Sequence, residues 1–357
     1  MKLELNVNAR STAPLTLAAV LLALVGCLLF GCTATSDSQP SSDAAQHQES
    51  TGDAGTPVRV ASMKGPTSIG LAAMMKEETR SSYDFQIYAT ADEIAPKLAS
   101  GEVDIALIPV NLAATLYHRT EKGIKAIDVN TLGVLYGLTA DDALKDSGAT
   151  MADLAGRTIY MTGKGTVPEY TVRALLAKAG LSEADVTLEF RSEPAEVVAL
   201  LATDASAIGI VPQPFATSAV AQDASLANVL DLTEQWDLLA AGDASSLAEG
   251  SRFVTGVTVV RTSFLEEHPD AVTRFLKDHR TSADTAANDP AAVADTVAEL
   301  GIIPNAAIAK TAIPLCNVVC LNGEEMHAAI SGYLQELLLW APNAIVGGLP
   351  DDGFYHL

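Results

Sequence analysis

Over positions 58–357, the spacing of the apolar residues changes repeatedly between a strand-like and a helix-like pattern. Short apolar runs, typical of buried strands, recur between segments whose apolar residues repeat at helical spacing. The runs that predict strands are 58–63, 83–88, 103–110, 157–161, 186–190, 207–211, 228–232 and 253–261. This order predicts an α/β fold with largely parallel sheets flanked by helices. The extended segment 127–138 is expected to cross from one half of the fold to the other.

The same strand–turn–helix unit occurs twice along the chain. Segment 58–68 runs from an apolar strand through a Lys-Gly-Pro-Thr-Ser turn into a helix, and 157–166 repeats this order through Gly-Lys-Gly-Thr. Segment 105–113 is echoed by 208–216, each an apolar strand that ends in proline and opens a helix. Two similar α/β halves place two sets of strand ends opposite each other, which makes a cleft for a small ligand.

Small and polar residues follow these strands where the next helix begins. Helix N-termini at strand ends offer unpaired N–H groups and partial positive charge, which suit a carboxylate, sulfonate or phosphate. The alternative is that the same residues are only helix caps. The predicted ligand contacts are Thr67, Ser68, Asn111, Gly165, Thr166 and Gln213.

Catalytic patterns are absent from the sequence. It has no Gly-x-Ser-x-Gly elbow, Walker loop, His-Glu-x-x-His or Gly-x-Gly-x-x-Gly, and its six histidines are scattered and expected on the surface. Glu169 is the carboxylate nearest the predicted cleft, but its spacing from Thr166 predicts a capping box, as does that of Glu93 from Thr90. We therefore expect a binding protein without a cofactor and not an enzyme.

The N-terminal segment has the pattern of a secretory signal. Lys2 and Arg10 precede an apolar stretch over 14–30, as in the n-region and h-region of a signal peptide. An uncleaved transmembrane anchor is the alternative, because the stretch is close to the minimum length of a span. Residues 32–57 are rich in Ser, Asp, Gln, Ala and Thr and contain no Lys or Arg, which predicts a disordered tether.

Two cysteines close sequences that resemble the bacterial lipoprotein signal-peptidase site. Leu-Val-Gly directly precedes Cys27, and Leu-Phe-Gly directly precedes Cys32. We assign lipidation to Cys32, with Cys27 as the alternative, because polar residues follow Cys32 at once. This choice predicts a lipoprotein signal peptide over 1–31.

The balance of charged residues argues against one class of binding partner. The 22 basic and 44 acidic residues give a formal net charge of −22, which argues against nucleic-acid binding.

Only Cys316 and Cys320 lie in the predicted folded part. A disulfide, two buried thiols and a metal site are the three alternatives for this pair, and the lack of neighbouring histidines in the sequence argues against metal.

Three segments of the folded part carry a resemblance. They are Lys-Gly-Pro-Thr-Ser-Ile-Gly-Leu at 64–71, Ser-Gly-Glu-Val-Asp-Ile-Ala at 100–106 and Pro-Gln-Pro-Phe at 212–215. With the lipoprotein site and the tether, they resemble the solute-binding lipoproteins of ABC importers, in the nitrate/sulfonate/hydroxymethylpyrimidine branch. The resemblance implies a two-lobe, type II periplasmic-binding-protein-like fold, in which each lobe is a sheet flanked by helices. Lobe one would comprise 58–138 plus 256–357 and lobe two 139–255, with a hinge between them.

The resemblance also implies a function. The protein would be a monomer held by a lipid anchor on the extracytoplasmic face of the cell membrane. It would capture a small molecule, which can be an anion, in the interlobe cleft. It would then deliver this molecule to an ABC permease driven by a cytoplasmic ATPase. A ligand sensor without transport and an enzyme on the same scaffold are the alternatives; the signal sequence and the missing acid–base residues argue against the enzyme.

Overall fold

The computed structural model describes residues 57–76, 82–240 and 250–357 of the 357-residue chain. The predicted signal peptide, lipidation site and all but the last residue of the tether lie outside these ranges. Gly55–Leu357 forms one compact unit. Within the described ranges, no helix is long and apolar enough to cross a membrane.

Eleven strands and thirteen α-helices are found in the described residues. The strands are β1 (Val58–Met63), β2 (Tyr83–Tyr88), β3 (Ile105–Pro109), β4 (Ile124–Leu132), β5 (Leu135–Thr139), β6 (Thr158–Met161), β7 (Thr187–Phe190), β8 (Ile208–Pro212), β9 (Ala227–Asp231), β10 (Val254–Arg261) and β11 (Val318–Leu321). The helices are α1 (Pro66–Ile69), α2 (Ala91–Ser100), α3 (Val110–Arg119), α4 (Asp142–Ser147), α5 (Val167–Lys178), α6 (Pro194–Leu201), α7 (Phe215–Gln222), α8 (Leu232–Ala240), α9 (Thr262–Glu267), α10 (Pro269–Asn288), α11 (Pro290–Glu299), α12 (Ala306–Ala312) and α13 (Gly323–Trp340). Short 3₁₀ helices cover Met151–Leu154, Ile313–Cys316 and Asp352–Phe354.

The strands form two mixed sheets. In the first sheet the order is β11-β4-β10-β3-β1-β2, and β1, β2 and β3 are parallel. In the second sheet the order is β7-β6-β8-β5-β9, and β6, β7 and β8 are parallel. The other pairings are antiparallel, because β10 and β11 in the first sheet and β5 in the second run opposite to their neighbours.

The chain passes from the first sheet to the second through two residues, Gly133 and Val134, which we call the crossing connection. The predicted lobe division at 138/139 is therefore a few residues late, since β5 pairs with β8 and β9 of the second sheet. The predicted return at 255/256 falls inside β10. Residues 126–139 are buried without interruption, and Gly133 and Val134 are flanked by the apolar Leu132 and Leu135, so no exposed or polar residue marks the crossing itself.

A shared aromatic cluster lies where the chain returns to the first sheet. The ring of Tyr333 on α13 lies 5.2 Å from that of Trp236 and 5.7 Å from that of Phe253. The Tyr333 hydroxyl also lies 3.1 Å from the Thr171 hydroxyl on α5. Helix α13 therefore packs on elements of both sheets.

The segment 100–106 that carried part of the resemblance has a structural role. Gly101 ends α2 with φ of 81° in the left-handed region, as its position after the helix predicts. Asp104 is 2% exposed and accepts hydrogen bonds from Arg59 and Arg261. Burial favours a higher pKa for Asp104, but these bonds outweigh it and hold the pKa below its ordinary value. Asp104 thus ties β1 and β10 to the start of β3.

Candidate functional site

The carboxyl ends of the parallel strands in both sheets open towards the crossing connection. In the first sheet, Gly256 is in register with both Pro109, the last residue of β3, and Thr131, next to the end of β4. In the second sheet, Leu135 at the start of β5 is in register with Pro212, the last residue of β8. Because only two residues separate β4 from β5, the two strand-end edges lie on either side of one short connection.

The crossing connection is bonded to groups on both sides. The backbone N–H of Gln213 donates to the carbonyl of Val134 at 2.8 Å. The Asn317 side-chain amide donates to the carbonyl of Gly133 at 2.7 Å and to the Thr233 hydroxyl at 3.2 Å. A Cβ atom added at Gly133 would lie 2.3 Å from that hydroxyl, so only glycine fits without a shift.

The predicted contacts Thr67 and Ser68 lie at the first edge and are buried. The Thr67 hydroxyl donates to the carbonyl of Met63 at 2.9 Å. The Ser68 hydroxyl lies 2.6 Å from the same carbonyl and 2.7 Å from the Ser62 hydroxyl. Both side chains therefore stabilise the turn after β1, and the hydroxyl hydrogens of Thr67 and Ser68 are already engaged within the protein.

Gly165 and Thr166 lie at the second edge, and the capping box predicted for Thr166 and Glu169 is wrong. The Thr166 hydroxyl donates to the Gly163 carbonyl at 2.5 Å, which closes a tight turn. Glu169 instead accepts from the N–H of Gly165 at 2.6 Å and from Arg173 Nε at 2.8 Å. A carboxylate of the protein thus occupies the N-terminus of α5, where an anionic ligand was expected. By contrast, the capping box predicted at the start of α2 is present.

Asn111 and Gln213 occupy matching places after prolines at the ends of β3 and β8. Asn111 is half-buried in the first turn of α3, and within the described residues its side chain makes no hydrogen bond. Gln213 is 2% exposed, and its Oε1 accepts from the Thr217 N–H at 3.2 Å and hydroxyl at 2.9 Å. Its Nε2 has no hydrogen-bond partner among the residues that the structure describes. The repeated strand-proline-helix pattern thus brings one amide side chain to each edge.

A buried polar chain that the sequence analysis missed runs below the first edge. His279 Nδ1 lies 3.0 Å from Asp128 Oδ2, and the Thr258 hydroxyl donates to Asp128 Oδ1 at 2.7 Å. Asn130 Nδ2 donates to the Thr258 hydroxyl at 3.2 Å, and the Thr131 hydroxyl donates to Asn130 Oδ1 at 2.8 Å. The expected surface position of His279 is wrong, because α10 turns this residue into the first sheet with 0% exposure.

Cys316 and Cys320 are free, buried thiols, so the disulfide alternative is not found. Burial raises the pKa of the Cys316 thiol to about 12, and burial and the nearby Asp128 carboxylate raise the pKa of Cys320. Ligand-type atoms of Asp128, His279 and Cys320 lie within 4.8 Å of one another and could hold a metal ion by distance. However, both Asp128 oxygens already accept hydrogen bonds, and all three side chains are buried.

Comparison with known proteins assigns the fold. No protein-family model and no curated protein sequence matches the chain. An ABC transporter protein from Parabacteroides distasonis matches with a TM-score of 0.68 and 22% identity over 85% of this chain and 99% of that chain. The periplasmic aliphatic sulphonate-binding protein SsuA from Escherichia coli matches with a TM-score of 0.60 and 15% identity over 83% of this chain and 90% of that chain.

A third match is the ligand-binding component of an ABC-type import system from Staphylococcus aureus. Its TM-score is 0.57, with 14% identity over 85% of this chain and 97% of that chain. The chain therefore has the two-lobe, type II periplasmic-binding-protein-like fold. The predicted fold class is confirmed, and so is the resemblance to ABC-importer solute-binding proteins at the level of fold.

Proposed function

We propose that this protein is the lipid-anchored, extracytoplasmic solute-binding component of an ABC import system. The observation that carries the proposal is the placement of two strand-end edges on either side of the crossing connection. A ligand between these edges touches both lobes and stabilises the closed arrangement, which is how a hinged binding protein responds to its solute. The shared fold with importer components supports a binding role and not an enzymatic one.

The ligand contacts that we propose are the predicted ones at the two edges. Thr67, Ser68 and Asn111 contribute from the first lobe, and Gly165, Thr166 and Gln213 from the second. Because the hydroxyl hydrogens of Thr67, Ser68 and Thr166 are engaged, a ligand would meet backbone N–H groups and the two amide side chains first. An anionic ligand at α5 would have to take the place of the Glu169 carboxylate at the Gly165 N–H.

The proposed partners follow from the import role. The protein passes its solute to a permease driven by a cytoplasmic ATPase, and it works as a monomer. Lipid on Cys32, with Cys27 as the alternative, holds it at the outer face of the membrane.

The test begins with mass spectrometry of the small molecules that co-purify with the protein, followed by titration of the identified solute into variants. Ser68→Ala and Thr166→Ala should weaken affinity about tenfold or more, because each hydroxyl stabilises a turn whose backbone N–H groups the ligand would meet, and hydrogen bonds to a charged or polar ligand would be misplaced. Thr273→Ala is the matched control, since this exposed hydroxyl also donates to a backbone carbonyl but lies on α10.

Two results would contradict the proposal. Unchanged affinity in both edge variants, with lowered stability of the ligand-free protein, would mean that these hydroxyls only stabilise the turns. Absence of any co-purifying or added solute that binds saturably would remove the import role itself.

A further inference from the structure

An open pocket of about 380 Å³ lies between α7 of the second lobe and α12 of the first. Its buried floor is formed by Gln213, Ala216 and Thr217, and its exposed rim includes Ala307 and Thr311 of α12. Gln213 is the one residue that the pocket shares with the predicted ligand contacts. A molecule bound there would contact both lobes.

The orientation of the Gln213 amide is fixed by Thr217. A backbone N–H can only donate, so the Gln213 atom that faces the Thr217 N–H must be the carbonyl oxygen. The NH₂ group therefore points away from Thr217, and within the described residues it has no acceptor. A buried donor without an acceptor destabilises a fold. A ligand that supplies the acceptor would remove this destabilisation.

The other side chains of the pocket define the chemistry of such a ligand. Ala216, Val220, Ile308 and Leu315 give it an apolar surface, and none of the described residues that line it is charged. A charged ligand would lose its hydration there without gaining a counter-ion. A pocket with an apolar wall and a few polar groups is the usual form of a small-molecule site.

We infer that this pocket is a second binding site, which takes a small neutral molecule with an apolar body and one hydrogen-bond acceptor for Gln213 Nε2. The inference goes beyond the solute-binding role, because all lining residues of this pocket except Gln213 lie outside the predicted solute contacts. Occupancy would stabilise the relative placement of the two lobes. The site would therefore bias lobe closure, and it shares only the Gln213 amide with the predicted solute contacts.

The experiment uses acetophenone, which has a ring and a carbonyl acceptor, and ethylbenzene, which has a similar shape without the acceptor. Dissociation constants are measured by ligand-observed NMR titration of the purified protein. Acetophenone should bind about tenfold more tightly than ethylbenzene, which is the preference expected for one hydrogen bond to an otherwise unpaired buried donor. Ala307→Trp should abolish binding by filling the pocket from its rim.

Matched variants separate the pocket from general effects. Lys310→Trp places the same side chain at an exposed position of α12 that does not line the pocket, and it should leave binding unchanged. Gln213→Glu keeps an acceptor for Thr217 and removes the neutral donor, so the preference for acetophenone should disappear.

The inference is overturned if acetophenone shows no saturable binding up to its solubility limit. It is also overturned if the two probes bind equally, or if Ala307→Trp and Lys310→Trp behave alike. Measured on protein freed of co-purifying solute, none of these results depends on the identity of the transported solute. If the pocket binds neither probe, the solute affinities of Ser68→Ala and Thr166→Ala still test the import role.

Discussion

Replacing Asp104 tests whether its buried hydrogen bonds stabilise the first lobe. Asp104→Asn preserves the shape of this buried side chain and removes its charge. Asp104 accepts from the Arg59 backbone N–H at 3.0 Å, from Arg59 Nε at 2.9 Å and from Arg261 Nη2 at 2.8 Å. The amide that replaces the carboxylate turns an NH₂ group towards at least one of these donors, so one donor faces another.

The magnitude follows from burial. Removing one partner of a buried ion pair costs about 3–5 kcal/mol. The side chains of Arg59 and Arg261 are 39% and 21% exposed, so water compensates part of their loss. We expect Asp104→Asn to lower the free energy of unfolding by about 2–3 kcal/mol, which lowers the urea midpoint by about 1 M.

The pH dependence has a defined sign. The folded-state pKa of Asp104 is lowered, so the carboxylate stabilises the fold fully above the unfolded pKa of about 3.9. This contribution is lost as pH falls through the folded pKa. The stability difference between wild type and Asp104→Asn should therefore be constant from neutral pH to about pH 5 and shrink below that.

The measurement is urea unfolding of both proteins across this pH range, followed by fluorescence. Asp142→Asn is the control, because Asp142 has a 95% exposed side chain paired with Lys145 and should change stability by less than about 0.5 kcal/mol. If Asp104→Asn costs no more than this control, or its cost persists undiminished in acid, the account of Asp104 is wrong.

Three further predictions concern the crossing connection and the cysteines. Gly133→Ala should destabilise the fold by about 1–3 kcal/mol, because its Cβ atom meets the Thr233 hydroxyl; an unchanged urea midpoint would show that the connection adapts freely. In thiol labelling without reductant, Cys316 and Cys320 should be unreactive when folded and both reactive in denaturant, whereas two unreactive cysteines in denaturant would indicate a disulfide. Cys32→Ser should prevent lipid attachment, measured by mass and membrane fractionation; normal lipidation of this variant but not of Cys27→Ser would assign the lipid to Cys27.

The sequence predicted those features that rest on periodicity and on turn residues. Strand and helix order up to β10, the repeated prolines at 109 and 212 and the stop at Gly101 all depend on local pattern, and all are present, whereas β11 was not predicted. The crossing could not be located, because Gly133 and Val134 lie between the apolar residues Leu132 and Leu135 and no exposed residue interrupts 126–139. The partner of Glu169 was missed because the tight turn closed by Thr166 brings Gly165, not Thr166, within reach.

Contacts between distant parts of the chain were beyond local pattern. His279 is separated from Asp128 by 151 positions, and nothing near either residue in the sequence indicates the other. The same holds for the pocket beside Gln213, whose second wall comes from α12. Whether the strand-end residues contact a solute remains a prediction that the edge variants test.

The position of α13 and β10 has a consequence for the order in which this protein can assemble. Strand β4 finds its antiparallel neighbour β10 only after residue 254 has been made, and α13 follows later still to cover α5. The first sheet lacks two of its six strands, β10 and β11, while the C-terminal third is missing, so these pairings of long sequence separation must form late and slowly. We expect chains that stop before Val254 to be digested rapidly by protease. The first sheet is therefore completed only when nearly the whole chain has been made.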